Sequence, residues 1–368
     1  MYRLPSPPLL AVTLLLVAPM SAAESARLDR RNLLEYRTAQ GDIAPVRSIA
    51  DWRLRRAEIL AGMQQVMGPL PGAEKRVPLD IRIEEEKDFG AYVRRRITYQ
   101  SEPGSRVPAH LFLPKDVLAG RGEPLRRAVL CLMGSSGHRH ADTPPGPNAS
   151  ANRNDAEVLA ERGYVAISTP YPVLGFGSRS GLGIPHDPDL KALGYKSGTM
   201  KAIWDNGRAL DVLETLPYVR RGGYAAIGHS LGGHNSVYTA VFDERIRVVV
   251  SSCGLDSYLD YRATHWAPGR GWAQELYMPR ILDYPRDQIP FDFHEMVGAL
   301  APRAIFINAP VNDSNFQWRS VARIGAAALP VYRLFGVPEL IRIVHPDVAH
   351  EFPPEVREAA YAWIAQNL

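Results

Sequence analysis

Between Tyr224 and His234 the chain reads Tyr-Ala-Ala-Ile-Gly-His-Ser-Leu-Gly-Gly-His, with one serine set among glycines just after a short apolar run. Gly228-His-Ser-Leu-Gly232 fits the pattern G-x-S-x-G, with a strand expected over Tyr224–Ile227 and a helix from near Gly233. A sharp strand-to-helix turn puts the serine in strained backbone geometry, and glycines at the flanking positions let strand and helix pass closely. Ser230 Oγ is then presented at a helix N-terminus, with the Leu231 N–H placed to meet a developing negative charge. Serine is a weak nucleophile alone. It needs a histidine after the last strand and an acid after an earlier one.

Both are present. A strand expected over Leu340–Val344 is followed by His345-Pro-Asp-Val-Ala-His350, which makes His350 the candidate base. His345 lies too close to the strand end and is expected to pack or hydrogen-bond locally. The strand Arg303–Asn308 leads into Ala-Pro-Val-Asn-Asp313, and Asp313 is the candidate acid; Asp256, in the loop after Ile246–Ser251, is the alternative. The chain order is therefore Ser230, Asp313, His350. The second oxyanion donor is expected from Met133-Gly-Ser-Ser-Gly-His-Arg-His140, with Ser135 as first choice and Ser136 as second. His138, His140 and Asp142 read as a polar loop, not a metal cluster. His229 and His234 flank the serine and are expected to support the turn or line a pocket. No metal is expected.

These residues must be held by a scaffold, and the chain supplies one. Strands are expected at Tyr92–Tyr99, Val107–Leu113, Arg127–Met133, Tyr164–Ser168, Tyr224–Gly228, Ile246–Ser251, Arg303–Asn308 and Leu340–Val344. Helices are expected at 48–67, 153–162, 200–216, 233–241, 315–327 and 354–367. Such alternation implies an α/β fold, a mostly parallel sheet with helices on both faces. Two insertions interrupt it. Residues 170–199 are rich in Gly, Pro, Tyr and Ser, and residues 254–300 carry Tyr258, Tyr261, Trp266, Trp272, Tyr277, Tyr284, Phe291 and Phe293. They read as cap and pocket elements over the carboxyl ends of the strands, or as excursions whose aromatics form a small core of their own.

The N-terminus differs from the rest. Arg3, the run Leu9-Leu-Ala-Val-Thr-Leu-Leu-Leu-Val17 and Ser21-Ala-Ala23 make a secretory signal peptide, cut after Ala23. Residues 24–89 then form an arm and a helix ahead of a catalytic domain over 90–368. The expected location is exported, periplasmic or extracellular, with no membrane association after cleavage. At 368 residues, 46% hydrophobic and 22% charged, the chain has globular composition. Its net charge of +4 is scattered, which argues for a solvated surface and against nucleic-acid binding.

Tyr195-Lys-Ser-Gly-Thr-Met-Lys-Ala-Ile-Trp-Asp-Asn206, the Gly-His-Ser-Leu-Gly-Gly-His-Asn elbow, Val-Ser-Ser-Cys-Gly254 and Phe-Asp-Phe-His-Glu295 together resemble the α/β-hydrolase superfamily. Within it, they resemble exported dienelactone-hydrolase-like and acetyl-xylan-esterase-like serine hydrolases. The resemblance covers about 90–368 and implies an eight-stranded sheet, a serine-histidine-acid mechanism, no cofactor and action on carboxylic esters of small molecules or saccharides, including deacetylation of carbohydrate. A glucuronoyl-type ester is a further option, given Arg262, Arg270 and Arg280. Many relatives have a histidine where this chain has Met133, and dienelactone hydrolases proper use cysteine where it has Ser230. Two other readings share the fold: a serine peptidase of the prolyl-oligopeptidase type, and a binding protein without chemistry. In the family's sheet order Cys131 and Cys253 sit two strand spacings apart, about 10 Å, beyond the roughly 7 Å limit for a disulfide. Two unpaired buried thiols are expected.

Overall fold

The computed structural model describes residues 27–121, 125–134, 154–172, 186–261 and 273–368. It begins with a small antiparallel pair, β1 (Glu35–Arg37) and β2 (Ile43–Pro45), followed by α1 (Ile49–Met67). A capping box starts α1: Asp51 N–H donates to Ser48 Oγ and Ser48 N–H donates back to the Asp51 carboxylate. Trp52, Ile59, Met63, Val66 and Met67 form its buried face, whereas Ile49 is exposed.

Among the described residues the main sheet has nine strands: β3 (Arg82–Asp88), β4 (Tyr92–Glu102), β5 (Ser105–Pro114), β6 (Arg126–Leu132), β7 (Val165–Thr169), β8 (Val219–His229), β9 (Ile246–Ser252), β10 (Ala304–Asn308) and β11 (Ile341–Val344). Their spatial order is β11-β10-β9-β8-β6-β7-β5-β4-β3. All eight expected strands are there. The sheet exceeds the expected eight by β3, a charged strand paired antiparallel to β4 at the edge, whose exposed alternating residues give little hydrophobic signal. Pairing is parallel from β7 to β11 and antiparallel among β3, β4, β5 and β7.

The remaining helices are α2 (Lys115–Leu118), α3 (Asp155–Glu161), α4 (Gly198–Thr215), α5 (Leu231–Phe242), α6 (Ala273–Tyr277), α7 (Phe293–Leu300), α8 (Trp318–Leu334) and α9 (Pro354–Asn367). Side chains alternate across the sheet, as the pleat requires. Ala128, Leu130 and Leu132 of β6 join the core shared with α1, α4, α5, α7 and α8, while Val129 and Cys131 join the one shared with α3 and α9. Both cysteines are free and buried.

Residues 27–47, which show no periodicity, are tied down by charge. Arg27 and Arg55 reach Glu295 of α7 at 2.7 and 3.2 Å, and Arg30 reaches Asp292 at 2.5 Å. Helix α7 itself went unread because it lies inside the aromatic-rich excursion. There, Tyr258, Phe291 and Phe293 are buried against one another and against Tyr238 of α5. Those aromatics form the excursion's core, not a pocket wall. Trp266 and Trp272 lie outside the described residues. Among the described residues no helix is long and apolar enough to cross a membrane.

Candidate active site

Strand β8 ends at His229 and α5 begins at Leu231, so Ser230 alone makes the turn, with φ 56° and ψ −119°. A non-glycine residue in this region costs roughly 1–3 kcal/mol, so its surroundings must hold it there. They do. The Ser230 N–H donates to Ser252 O at 2.8 Å, and Ser230 O accepts from Gly233 N–H and His234 N–H. A Cβ on Gly228 would sit 2.3 Å from Gly232 O, and one on Gly232 would sit 2.1 Å from Leu132 O. The two glycines therefore let α5 cross over the ends of β6 and β8. Leu231, as the first residue of α5, has an N–H without an intrahelical acceptor.

The other two candidates arrive on neighbouring loops. The chain after β10 is laced to the chain after β11: Ala309 N–H donates to Val344 O, Val311 N–H to Pro346 O, and Asn312 N–H to Val348 O. This lacing brings His350 Nδ1 to 2.8 Å from Asp313 Oδ2. The second Asp313 oxygen accepts from the N–H groups of Asn315 and Phe316. The carboxylate is 1% exposed and the imidazole 24%. Such a pair fixes the proton on Nδ1 and turns Nε2 into an acceptor. The imidazole lies against Phe316 and against His229, whose ring centroid is 4.8 Å away. Among the described residues no hydrogen bond joins Ser230 Oγ to His350. In unliganded sites such contacts are often loose and tighten on binding.

Two residues unmarked by the sequence reading hold these loops together. Asn308 Nδ2 donates to Ser252 Oγ and to Glu351 O, both at 2.9 Å, and Ser252 Oγ also lies 3.0 Å from His229 Nδ1. The ends of β8, β9 and β10 and the His350 loop thus share one polar network. The available signal was position: Ser252 and Asn308 are polar residues ending buried parallel strands.

The alternatives separate clearly. His345 Nδ1 contacts Ala309 O at 2.8 Å and its ring packs on Trp318, as expected of a local role. Asp256 does not meet His350; its Oδ2 accepts from Gln317 N–H at the start of α8, its Oδ1 has no partner, and burial pushes it up to about 7. His234 is buried beside Tyr238 and Tyr277, and burial pushes it down to about 3, so it is neutral near pH 7. Arg280 is on the surface beside Asp283. Ser135, Ser136, His138, His140, Asp142, Arg262 and Arg270 lie outside the described residues. Gly134, the last described residue of that loop, would place a Cβ 3.2 Å from His229 O, so the loop leaves β6 alongside the elbow.

The strand order, the antiparallel β5 and the serine elbow after β8 define the architecture: the chain has the α/β-hydrolase fold. Residues 192–336 match the family model described as glucuronyl esterase, fungi. Among solved structures, the glucuronoyl esterase from Solibacter usitatus superposes with a TM-score of 0.69 at 19% identity, covering 92% of this chain and 98% of that one. An acetyl xylan esterase from Paenibacillus sp. R4 gives a TM-score of 0.57 at 16% identity, covering 88% and 96%. In sequence the chain is 22% identical to "Putative hydrolase YtaP" of Bacillus subtilis (strain 168), over 85% of this chain and 100% of that protein.

Proposed function

We propose that the protein is a serine carboxylic-ester hydrolase acting on an ester of a carbohydrate, with Ser230 as nucleophile, His350 as base and Asp313 as acid. One observation carries the reading: an Asp313–His350 pair at 2.8 Å stands on the same sheet edge as a serine held at φ 56°. His350 Nε2 takes the hydroxyl proton as Ser230 Oγ attacks the ester carbonyl. The negative charge that develops on the carbonyl oxygen meets the Leu231 N–H and a donor from the loop after β6, with Ser135 the first choice. Collapse expels the alcohol, protonated by His350, and leaves an acyl-serine. Water, deprotonated by His350, then releases the acid and restores Ser230. Asp313 holds the imidazole tautomer and stabilises its charged form throughout.

The carbohydrate reading rests on the matched esterase model and on neighbours named as glucuronoyl and acetyl xylan esterases. Because the model match spans the elbow and the excursion after β9, uronate esters rank ahead of acetyl esters. Residues 1–23 act as an export signal, residues 24–89 supply the arm, the helix and the edge strand β3 that completes the main sheet, and 90–368 form the rest of the catalytic domain of an exported protein.

The test is hydrolysis of a short-chain nitrophenyl ester by residues 24–368, beside Ser230→Ala, followed by methyl glucuronate and acetyl-xylose esters. Turnover is expected in the wild type and a loss of several orders of magnitude in the variant. Equal turnover by Ser230→Ala would sink the nucleophile assignment. Turnover of acetyl-xylose without uronate ester would reverse the substrate ranking.

A further inference from the structure

His229, Ser252 and Asn308 are register partners at the ends of β8, β9 and β10, so they form one row across the carboxyl end of the sheet, beside Ser230. Asn308 is 1% exposed, and its amide nitrogen serves two elements: Nδ2 donates to Ser252 Oγ and to Glu351 O, both at 2.9 Å. A peptide carbonyl only accepts, so Glu351 O fixes which end of the amide faces this pair. Asn308 Oδ1, at the other end, is buried with no partner among the described residues. A buried acceptor without a donor lowers stability, and its retention points to a use for the two N–H groups opposite.

Those two bonds lead to the nucleophile and to the base. Ser252 O accepts the Ser230 N–H at 2.8 Å, and Ser252 Oγ lies 3.0 Å from His229 Nδ1, so Ser252 holds the elbow at two points. Glu351 N–H donates to Ala349 O at 2.7 Å, which makes a three-residue turn with His350 at its middle. The Cys253 Sγ also lies 3.3 Å from Glu351 O, but a thiol is a weak donor. Asn308 therefore ties the strand ends that hold Ser230 to the turn that carries His350.

We infer that Asn308 is a positioning residue: its amide sets the reach from Ser230 Oγ to His350 Nε2 by bracing the end of β9 against the His350 turn. It acts through Ser252 and Glu351, not on the reacting atoms. The catalytic consequence rests on Ser230 and His350 being nucleophile and base; the bracing does not.

Asn308→Ala, Asn308→Asp and Ser252→Ala, each made in residues 24–368, test this. Rates are taken per active site, counted with a serine-directed covalent probe. In Asn308→Ala, kcat on a nitrophenyl ester should fall on the order of a hundredfold with KM within about threefold, because a shift of about 1 Å between reacting groups costs that much. Ser252→Ala keeps the Glu351 bond and should lose about tenfold, and the double variant should lose less than the product of the two, since both remove one bridge. Asn308→Asp keeps the shape but sets an acceptor against Glu351 O, and should do no better than Asn308→Ala. Ser252→Ala removes only a hydroxyl and guards against an Asn308 variant that fails to fold. Hydrogen exchange read by mass spectrometry checks the bracing without turnover: amides of 345–352 should exchange at least about tenfold faster in Asn308→Ala, and those of β4 and β5 should not change. Unchanged kcat per site in every variant that folds, wild-type kcat in Asn308→Asp, or unchanged exchange at 345–352 would overturn the proposal. Faster exchange there in a protein whose wild type hydrolyses no ester would leave the bracing standing and remove the esterase reading instead.

Discussion

Asp256 and Asp313 stand on loops after adjacent parallel strands, each with a side chain almost wholly removed from solvent, yet the protein treats them differently. Asp313 is compensated by three donors: the His350 imidazole and two backbone N–H groups. Asp256 has the Gln317 N–H and the Ser320 side chain as partners and leaves its Oδ1 without one, and burial pushes it up to about 7. Burial alone drives a carboxyl toward its neutral form; burial with converging donors makes a fixed charge useful. The donors decide which carboxylate orients the base.

The sharpest way to break this contrast is to neutralise each acid in turn. Asp313→Asn should lower kcat on the order of ten-thousand-fold, because the imidazole loses its fixed tautomer. Asp256→Asn should keep kcat within a few-fold, and ester assays showing the two variants equally impaired would erase the distinction.

Asp256 should show itself in stability instead. Its folded pKa, about 7, lies above the ordinary carboxyl value of 3.8, so its contribution is full below about pH 3.8 and is lost as pH rises through about 7. The difference amounts to about 4 kcal/mol. His234 acts oppositely: depressed from 6.5 to about 3, it costs stability as pH falls through 6.5 toward 3. The two effects offset each other between roughly pH 4 and 6.5. Urea unfolding of wild type and Asp256→Asn at pH 4, 6 and 8 separates them. The variant should gain on the wild type as pH rises, and a constant difference would refute the raised carboxyl.

A third test concerns the backbone that carries Asp256. A Cβ on Gly254 would lie 2.6 Å from Gly233 C and from His234 N, so Gly254→Ala forces the loop and the elbow apart. A loss of about 3 kcal/mol is expected, read by chemical denaturation. The smallest effect belongs to His345. His345→Phe removes one hydrogen bond, to Ala309 O, and should cost about 1 kcal/mol while leaving kcat near wild type. A large loss of kcat there would reopen the choice of base.

Much of this arrangement was legible from local pattern. The apolar runs of β6 to β10 read as buried strands because parallel strands are covered on both faces. The elbow was visible because a one-residue turn between strand and helix demands glycines on both sides. The edge strand β3 was missed because its exposed, charged residues carry no burial signal, and α7 because its helix lies inside an aromatic-rich stretch. Ser252 and Asn308 were missed as well, since a polar residue at a strand end matters only through neighbours on other strands.

By itself, the sequence determined the strands and helices with a strong apolar pattern, their alternation and the chain order of serine, acid and base, since these depend on residues within a few turns of one another. Only the tertiary structure decided that Asp313 meets His350 across 37 positions of chain, that Tyr258, Phe291 and Phe293 of the excursion pack together, and that His229, Cys253 and His350 converge. Those contacts follow from the spatial order of the strands and the lacing of the loops beyond them. Short-range periodicity carries no information about either.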